Sequence, residues 1–164
     1  MSVVVVILFV FAVTPVRATP TVCDKTLKQS IEDEAAENPR LKRADVELEV
    51  EDGYVVLYGT VGLYIQKMLY EQIAWKTKGV VEVDNEIRVV PRLPKTDIAV
   101  KRKILERVHA DDRFKGVHVI VTVIKGAVHI RVTLEHPRDV LFLKHRVAEI
   151  EGVISIDIQA NFIT

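Results

Sequence analysis

All five histidines of this chain fall in its C-terminal half: His109, His118, His129, His136 and His145. Imidazoles are the commonest metal ligands, so their placement is the first question of chemistry. The stretch "VHVIVTVIKGAVHIRVTL", residues 117–134, alternates apolar residues on either side of Lys125-Gly126 and predicts a β-hairpin. In that hairpin Thr122 pairs with His129 and His118 with Thr133, so both imidazoles reach the outer sheet face. They are not opposite one another, and no Cys, Asp or Glu is expected beside them, which leaves a metal without a third ligand. They read as solvent-facing strand histidines. There is no Gly-rich phosphate loop, no paired cysteine and no nucleophile–base spacing. The acidic "DNE" at 84–86 sends its residues to alternate faces of a strand and is not a ligand cluster. No catalytic residue, metal or other cofactor, or small-molecule substrate is expected, and the chain reads as a binding protein and not an enzyme.

Binding chemistry is better served. In "LYIQKMLYEQIAWKTK", residues 63–78, Ile65, Leu69, Tyr70, Ile73 and Ala74 make a core stripe of a helix. Tyr64, Met68 and Trp75 are left on another face near Lys67 and Lys76, a combination suited to a bilayer interface. In "PRDVLFLKHRVAEI", residues 137–150, Val140, Leu143, Val147 and Ile150 can be buried while Arg138, Phe142, His145 and Arg146 share an outward face. Arginine's forked donors fit phosphate. An earlier helix adds Lys101, Arg102, Lys103 and Arg107. Membrane contact and packing against another domain or partner, where aromatic residues are also common, both stand as readings of these faces.

The elements that position these residues are written twice. Offset by 73 residues, the chain aligns with itself without a gap. Asp24 falls on Asp97, and Leu27, Ile31 and Ala35 fall on Val100, Ile104 and Val108. Leu48 and Val50 meet Val121 and Val123; Gly53 meets Gly126; Gly79-Val80 meets Gly152-Val153. Each unit opens with an aspartate read as a helix N-cap. A helix follows with apolar residues at i, i+4, i+8, ended in the first unit by Asn38-Pro39. A hairpin comes next, pairing Val50 with Val55 and Leu48 with Leu57 in one unit, Val123 with Val128 and Val121 with Ile130 in the other. Second helices are expected at Leu63–Lys76 and Arg138–Glu149, and closing strands at Val81–Val90 and Ile154–Ile163. The fold class is therefore α+β: two tandem αββαβ units, each a three-stranded sheet with two helices packed on one face. Units are assigned to residues 24–90 and 97–164, joined by the Pro-containing linker 91–96.

Composition agrees with a globular chain: 164 residues, 49% apolar and 28% charged, with zero net charge and so no general attraction to nucleic acid. The neutrality hides a split. Residues 24–92 carry 10 Lys/Arg against 14 Asp/Glu, a net −4, and residues 93–164 carry 12 against 9, a net +3. The outer faces of the two predicted hairpins differ likewise, acidic and aromatic in the first, more basic and apolar in the second, which would allow the units to pack sheet to sheet. At the N-terminus the apolar run Val3–Val13 is shorter than the about 20 residues a spanning helix needs. With Val16-Arg17-Ala18 behind it, the run reads as a signal peptide over 1–18, leaving a mature N-terminal segment at 19–23. Cys23, the only cysteine, cannot form an internal disulfide.

These motifs resemble the BON domain. Gly53 stands at the hairpin turn, "GTV" at Gly59-Thr60-Val61 closes its second strand, and "GVVEVDNEIRV" from Gly79 to Val89 fits G-V-x-x-V-x-N-x-[LI]-x-V at every specified position. The second unit keeps Gly126 and Gly152-Val153, but has Val132, Ile158 and Ala160 where the pattern has Gly, Asn and an aliphatic residue. The chain is similar to tandem BON-domain proteins, osmotically inducible periplasmic or outer-membrane-associated. That resemblance implies a non-enzymatic protein of the periplasm, exported through the cleaved signal peptide and peripheral at a membrane. It implies anionic phospholipid or envelope proteins as partners, with a role in envelope or osmotic stress. The lipid- or partner-binding residues expected are Arg138, Phe142, His145, Arg146, Tyr64, Met68 and Trp75. A protein-interaction or holdase-like module for periplasmic clients is the alternative.

Overall fold

The computed structural model describes residues 23–42 and 44–163. The expected signal peptide, and all of the segment after it except Cys23, lie outside the described residues. Helix α1 (Asp24–Glu37) buries Leu27, Ile31 and Ala35 on one stripe. It ends at Asn38, whose extended conformation suits a residue before proline. The Asn38 side chain then accepts the Arg40 N–H and starts a single 3₁₀ turn, Pro39–Leu41, that drops Leu41 into the core. Strands β1 (Asp45–Glu51) and β2 (Tyr54–Val61) pair antiparallel, with Leu48 opposite Leu57 and Val50 opposite Val55 as expected. Helix α2 (Tyr64–Lys76) then crosses over so that β3 (Glu82–Asn85) and β4 (Arg88–Val89) lie parallel to β2.

The second half repeats the order. Helix α3 (Asp97–His109) leads through a 3₁₀ turn, Asp112–Phe114, into β5 (Val119–Ile124) and β6 (Ala127–Leu134). Helix α4 (Arg138–Ala148) follows, and β7 (Ser155–Phe162) lies parallel to β6. Each mixed sheet therefore has the second hairpin strand at its centre and two helices on its inner face, with Val55, Leu57, Val128 and Ile130 buried beneath them. The α+β class with paired helices over each sheet is as the sequence predicts.

Both hairpin turns have two consecutive positive φ angles, Asp52 at 51° with Gly53 at 81°, and Lys125 at 50° with Gly126 at 79°, the geometry that matches strand twist. A side chain on either glycine would also meet the chain entering the third strand: a Cβ on Gly53 would lie 2.8 Å from the Gly79 carbonyl oxygen, and one on Gly126 2.7 Å from that of Gly152.

Three sequence expectations are corrected here. Asp24 and Asp97 are not N-caps; Cys23 and Thr96 are, and the Thr96 hydroxyl accepts the Ala99 N–H. The aspartates occupy the first helical position and their carboxylates cross to the hairpin. Asp24 accepts the N–H groups of Asp52 and Gly53, both at 3.0 Å, and Asp97 those of Lys125 and Gly126, at 2.8 and 2.9 Å. Next, the third strand of the first unit is interrupted between Asn85 and Arg88. Lys67 Nζ donates to the carbonyls of Asn85 and Ile87, both at 2.9 Å, while the Asn85 side chain donates to the Lys67 carbonyl and accepts the Ile87 N–H. The matching positions of the second unit are Val140 and Ile158, and β7 there runs unbroken beside β6. Finally, His118 falls just before β5, so it does not pair with Thr133.

The units meet through their helices. α2 and α4 are neighbours, and Tyr64 packs against both cores. Arg40 reaches Glu149 at 3.3 Å, and the Leu93 N–H donates to Glu151 at 3.3 Å. The outer sheet faces do not meet: Glu47, Glu49, Tyr54, Ile120 and Ile124 are exposed.

Candidate functional site

The seven residues singled out from the sequence lie on α2 and α4, and the fold divides them into groups. Met68 and Trp75 of α2 face Leu141, Lys144 and His145 of α4 across a groove of about 300 Å³, with Glu71 and Gln72 on its wall. Trp75 and Leu141 are at least half exposed there, 50% and 59%. Tyr64, one turn before Met68, is half-buried at the junction of the two cores, where burial first and the Glu71 carboxylate second push its phenol above the ordinary value. Its place is in the seam between units.

Phe142 and Arg146 turn to the other side of α4. Two Asp111 oxygens hold two arginines. Oδ1 accepts Arg113 N–H at 3.2 Å and Arg113 Nε–H at 3.1 Å, and Oδ2 accepts Arg146 Nε–H at 3.2 Å. The Arg113 guanidinium also lies 4.2 Å from the centre of the Phe142 ring, a cation–π contact. Hydrogen bonds from the Arg113 side chain hold the Asp111 carboxyl below the usual carboxylate range, against the opposing effect of burial; the Arg113 N–H, its charge and Arg146 add to the lowering. Arg138 stands apart, exposed at the start of α4. The single outward face expected for Arg138, Phe142, His145 and Arg146 is thus split by what flanks α4: the groove beside α2 takes His145, and the turn after α3 takes Arg146.

Sequence reasoning missed Asp111, Arg113 and Leu141. The Asp111 signal was present in the spacing of an Asx turn, Asp-x-Arg, aligned with Asn38-x-Arg40 in the first unit. It also missed Gln66, buried in α2, whose side-chain oxygen accepts the N–H groups of Gly62 and Leu63 while its nitrogen donates to the Arg40 carbonyl. On the second sheet the expectation that no carboxylate neighbours the histidines is corrected: Asp157 of β7 lies 3.5 Å from His129. Among the described residues no group of three or more His, Cys, Asp or Glu is placed to hold a metal ion. No described helix is long and apolar enough to cross a membrane.

The groove between α2 and α4 exposes Trp75 and Leu141 beside Lys144, and the next stripe of α4 exposes Phe142 beside Arg113 and Arg146. Residues 24–91 match the BON domain family, so a BON domain occupies the first unit. Among solved structures the chain is similar to the C-terminal domain of CdsD, the structural protein of the Type III secretion system of Chlamydia trachomatis. The two are 14% identical, covering 87% of this chain and 68% of that one, at a TM-score of 0.37. A second structure of CdsD is 18% identical, covering 84% of this chain and 61% of that one, at a TM-score of 0.34. No curated protein matches the chain.

Proposed function

We propose that this protein is a non-enzymatic binding protein of the cell envelope. In this reading residues 97–164 form a second, diverged BON domain, and the chain is exported to the periplasm after loss of residues 1–18. It attaches peripherally to anionic phospholipid, in a role tied to envelope or osmotic stress. One observation carries the reading: the α2–α4 groove exposes Trp75 and Leu141 beside Lys144, and the adjoining stripe of α4 exposes Phe142 beside Arg113 and Arg146. Aromatic and aliphatic side chains at the level of the headgroups, ringed by cations, are what a helix lying on a membrane presents. Each basic residue near an anionic surface contributes about 1 kcal/mol, so a handful gives reversible attachment. Phospholipid binding by a BON domain is the family expectation that this surface supports.

Flotation with vesicles tests it. The chain should float with anionic vesicles more than with zwitterionic ones, and the excess should fade as added salt shortens the Debye length below about 8 Å. The difference between the two vesicle types removes any contribution from the apolar run at residues 3–13. Equal flotation with both types at every salt concentration would sink the proposal. A second reading, a protein-interaction module holding apolar side chains of envelope clients, is favoured by the groove between Met68, Trp75 and Leu141. Client binding through that groove should persist at high salt.

A further inference from the structure

We infer that the pocket between the end of α3, the 3₁₀ turn at Asp112–Phe114 and the last turn of α4 is a binding site for a phosphate group, with Arg107, Arg113 and Arg146 as the recognising residues and Asp111 as the residue that positions the latter two. The pocket measures about 530 Å³ and is lined by Arg107, Ala110, Asp111, Asp112, Arg113 and Arg146. The Asp111 side chain is only 11% exposed and stands behind the two arginines it binds. Both arginines meet it through their Nε edge, so the two Nη groups of Arg146 make no hydrogen bond among the described residues. Arg113 is further fixed by the Phe142 ring beneath it. Arg107 is steadied from outside by Glu149, its Nη1 lying 2.9 Å from that carboxylate. Forked donors held in place by carboxylates form the arrangement that receives tetrahedral oxyanions.

The three guanidiniums are balanced by Asp111, Asp112 and the Glu149 paired with Arg107, so recognition rests on directed donors and not on a large field. The shared Asp111 also offsets the repulsion that would otherwise drive the adjacent guanidiniums away from each other.

The first unit shows that the fold does not require this cluster. At an offset of 73 residues, Asp111 corresponds to Asn38, Arg113 to Arg40, Arg107 to Glu34, Arg146 to Ile73 and Phe142 to Leu69. Only the turn is common: Asn38 accepts the Arg40 N–H at 3.0 Å as Asp111 accepts that of Arg113. Where the first unit seals its core with Ile73, 4% exposed, the second has an arginine whose side chain is 44% exposed. The first unit likewise has the carboxylate of Glu34 where the second has Arg107. A position that packing fills with an aliphatic residue in one unit is a cation in the other, beside a second cation that the first unit lacks and a third that both have.

The phosphate would come from a lipid headgroup or from a soluble phosphate. The lipid source rests on the membrane attachment proposed above; the site itself does not. In the full chain, inorganic phosphate titrated at constant ionic strength should shift the Nε–Hε resonances of Arg113 and Arg146 saturably in the millimolar range. Arg146→Lys, which keeps the charge and loses the fork, should weaken binding at least fivefold, as should Arg113→Gln. Arg131→Gln, the same charge change as Arg113→Gln but on the outer sheet face of the second unit, should alter it less than twofold. Non-saturating shifts, or equal weakening by Arg131→Gln, would overturn the site. The same variants are then floated with phosphatidic acid vesicles. A fivefold loss with the Arg113 and Arg146 variants assigns the phosphate to a headgroup. Unchanged flotation alongside lost phosphate binding assigns it to a soluble ligand. If the unaltered chain does not float at all, the membrane reading fails while the phosphate titration still decides the site.

Discussion

Carboxylates placed against backbone and guanidinium donors do much of the work of single residues in this chain. Asp24 and Asp97 each bind two N–H groups of a hairpin turn from the first position of a helix, a site where the helix dipole also favours negative charge. Replacing Asp97 by alanine leaves the Lys125 and Gly126 N–H groups unpaired, the second of them partly buried. Hydrogen bonds to charged groups contribute about 1.5–3 kcal/mol when buried, so a loss of about 1–2 kcal/mol is expected for this partly solvated pair. A urea midpoint unchanged by Asp97→Ala would show that the turn holds itself. Asp111 yields a pH prediction. Its carboxyl is deprotonated more readily in the folded chain than in the unfolded one. It therefore stabilises the fold above its unfolded pKa of about 3.9, and that contribution is lost as pH falls through the lower folded value. Asp111→Asn keeps an acceptor for the Arg113 N–H, as Asn38 does for Arg40, but removes the titration. The variant should be less stable than the parent at neutral pH and show a flatter acid limb below about pH 4 in acid unfolding.

Among the elements, the two units differ where a single residue changes what the backbone can do. Gly59 has φ 124°, and a Cβ there would lie 2.2 Å from the Asp45 carbonyl oxygen, so β1 passes over β2 as only glycine allows. The same position in β6 is Val132, with ordinary pairing to Val119, and β5 starts one residue later than β1 does in its unit. Gly59→Val combines a disallowed φ with a backbone clash and should cost about 3 kcal/mol or more, read as a fall in the denaturation midpoint. A midpoint within about 0.5 kcal/mol of the parent would mean that the start of β1 is free to move. The strands, their register and the helix stripes were legible in the sequence because period-2 and period-4 patterns encode them locally. The break after Asn85 was not, because it depends on Lys67, 18 residues earlier, donating to two strand carbonyls. The candidate site was partly legible for the same reason. Phe142 and Arg146 could be placed on α4, but what flanks each side of α4 is set by tertiary packing. Asp111 and Arg113 lie in a turn whose alternation carries no face.

At the scale of the whole molecule, the seam between the units decides which surfaces are left for partners. Charge alone would have suited sheet-to-sheet packing, but the helices meet instead, because Tyr64 can contribute apolar surface to both cores while its partly buried phenol lies beside Glu71. That choice leaves the acidic sheet face of the first unit and the basic helical side of the second pointing into solvent as separate surfaces. The seam ion pair of Arg40 with Glu149 at 3.3 Å has a guanidinium open to solvent and shares its carboxylate with Arg107, so it adds little and Tyr64 should carry most of the coupling. Truncating it to alanine removes half-buried aromatic area from two cores at once and should cost about 2 kcal/mol of coupling. Each unit would keep its own sheet and helices, so the expected result in calorimetry is one transition in the parent and two in Tyr64→Ala. With Arg113 and Arg146 untouched, phosphate binding should survive in the variant. Flotation should fall only to the extent that Trp75 of α2 needs α4 beside it to reach the bilayer. A single transition retained in Tyr64→Ala at nearly the parent temperature would place the coupling in the linker and its Leu93–Glu151 contact.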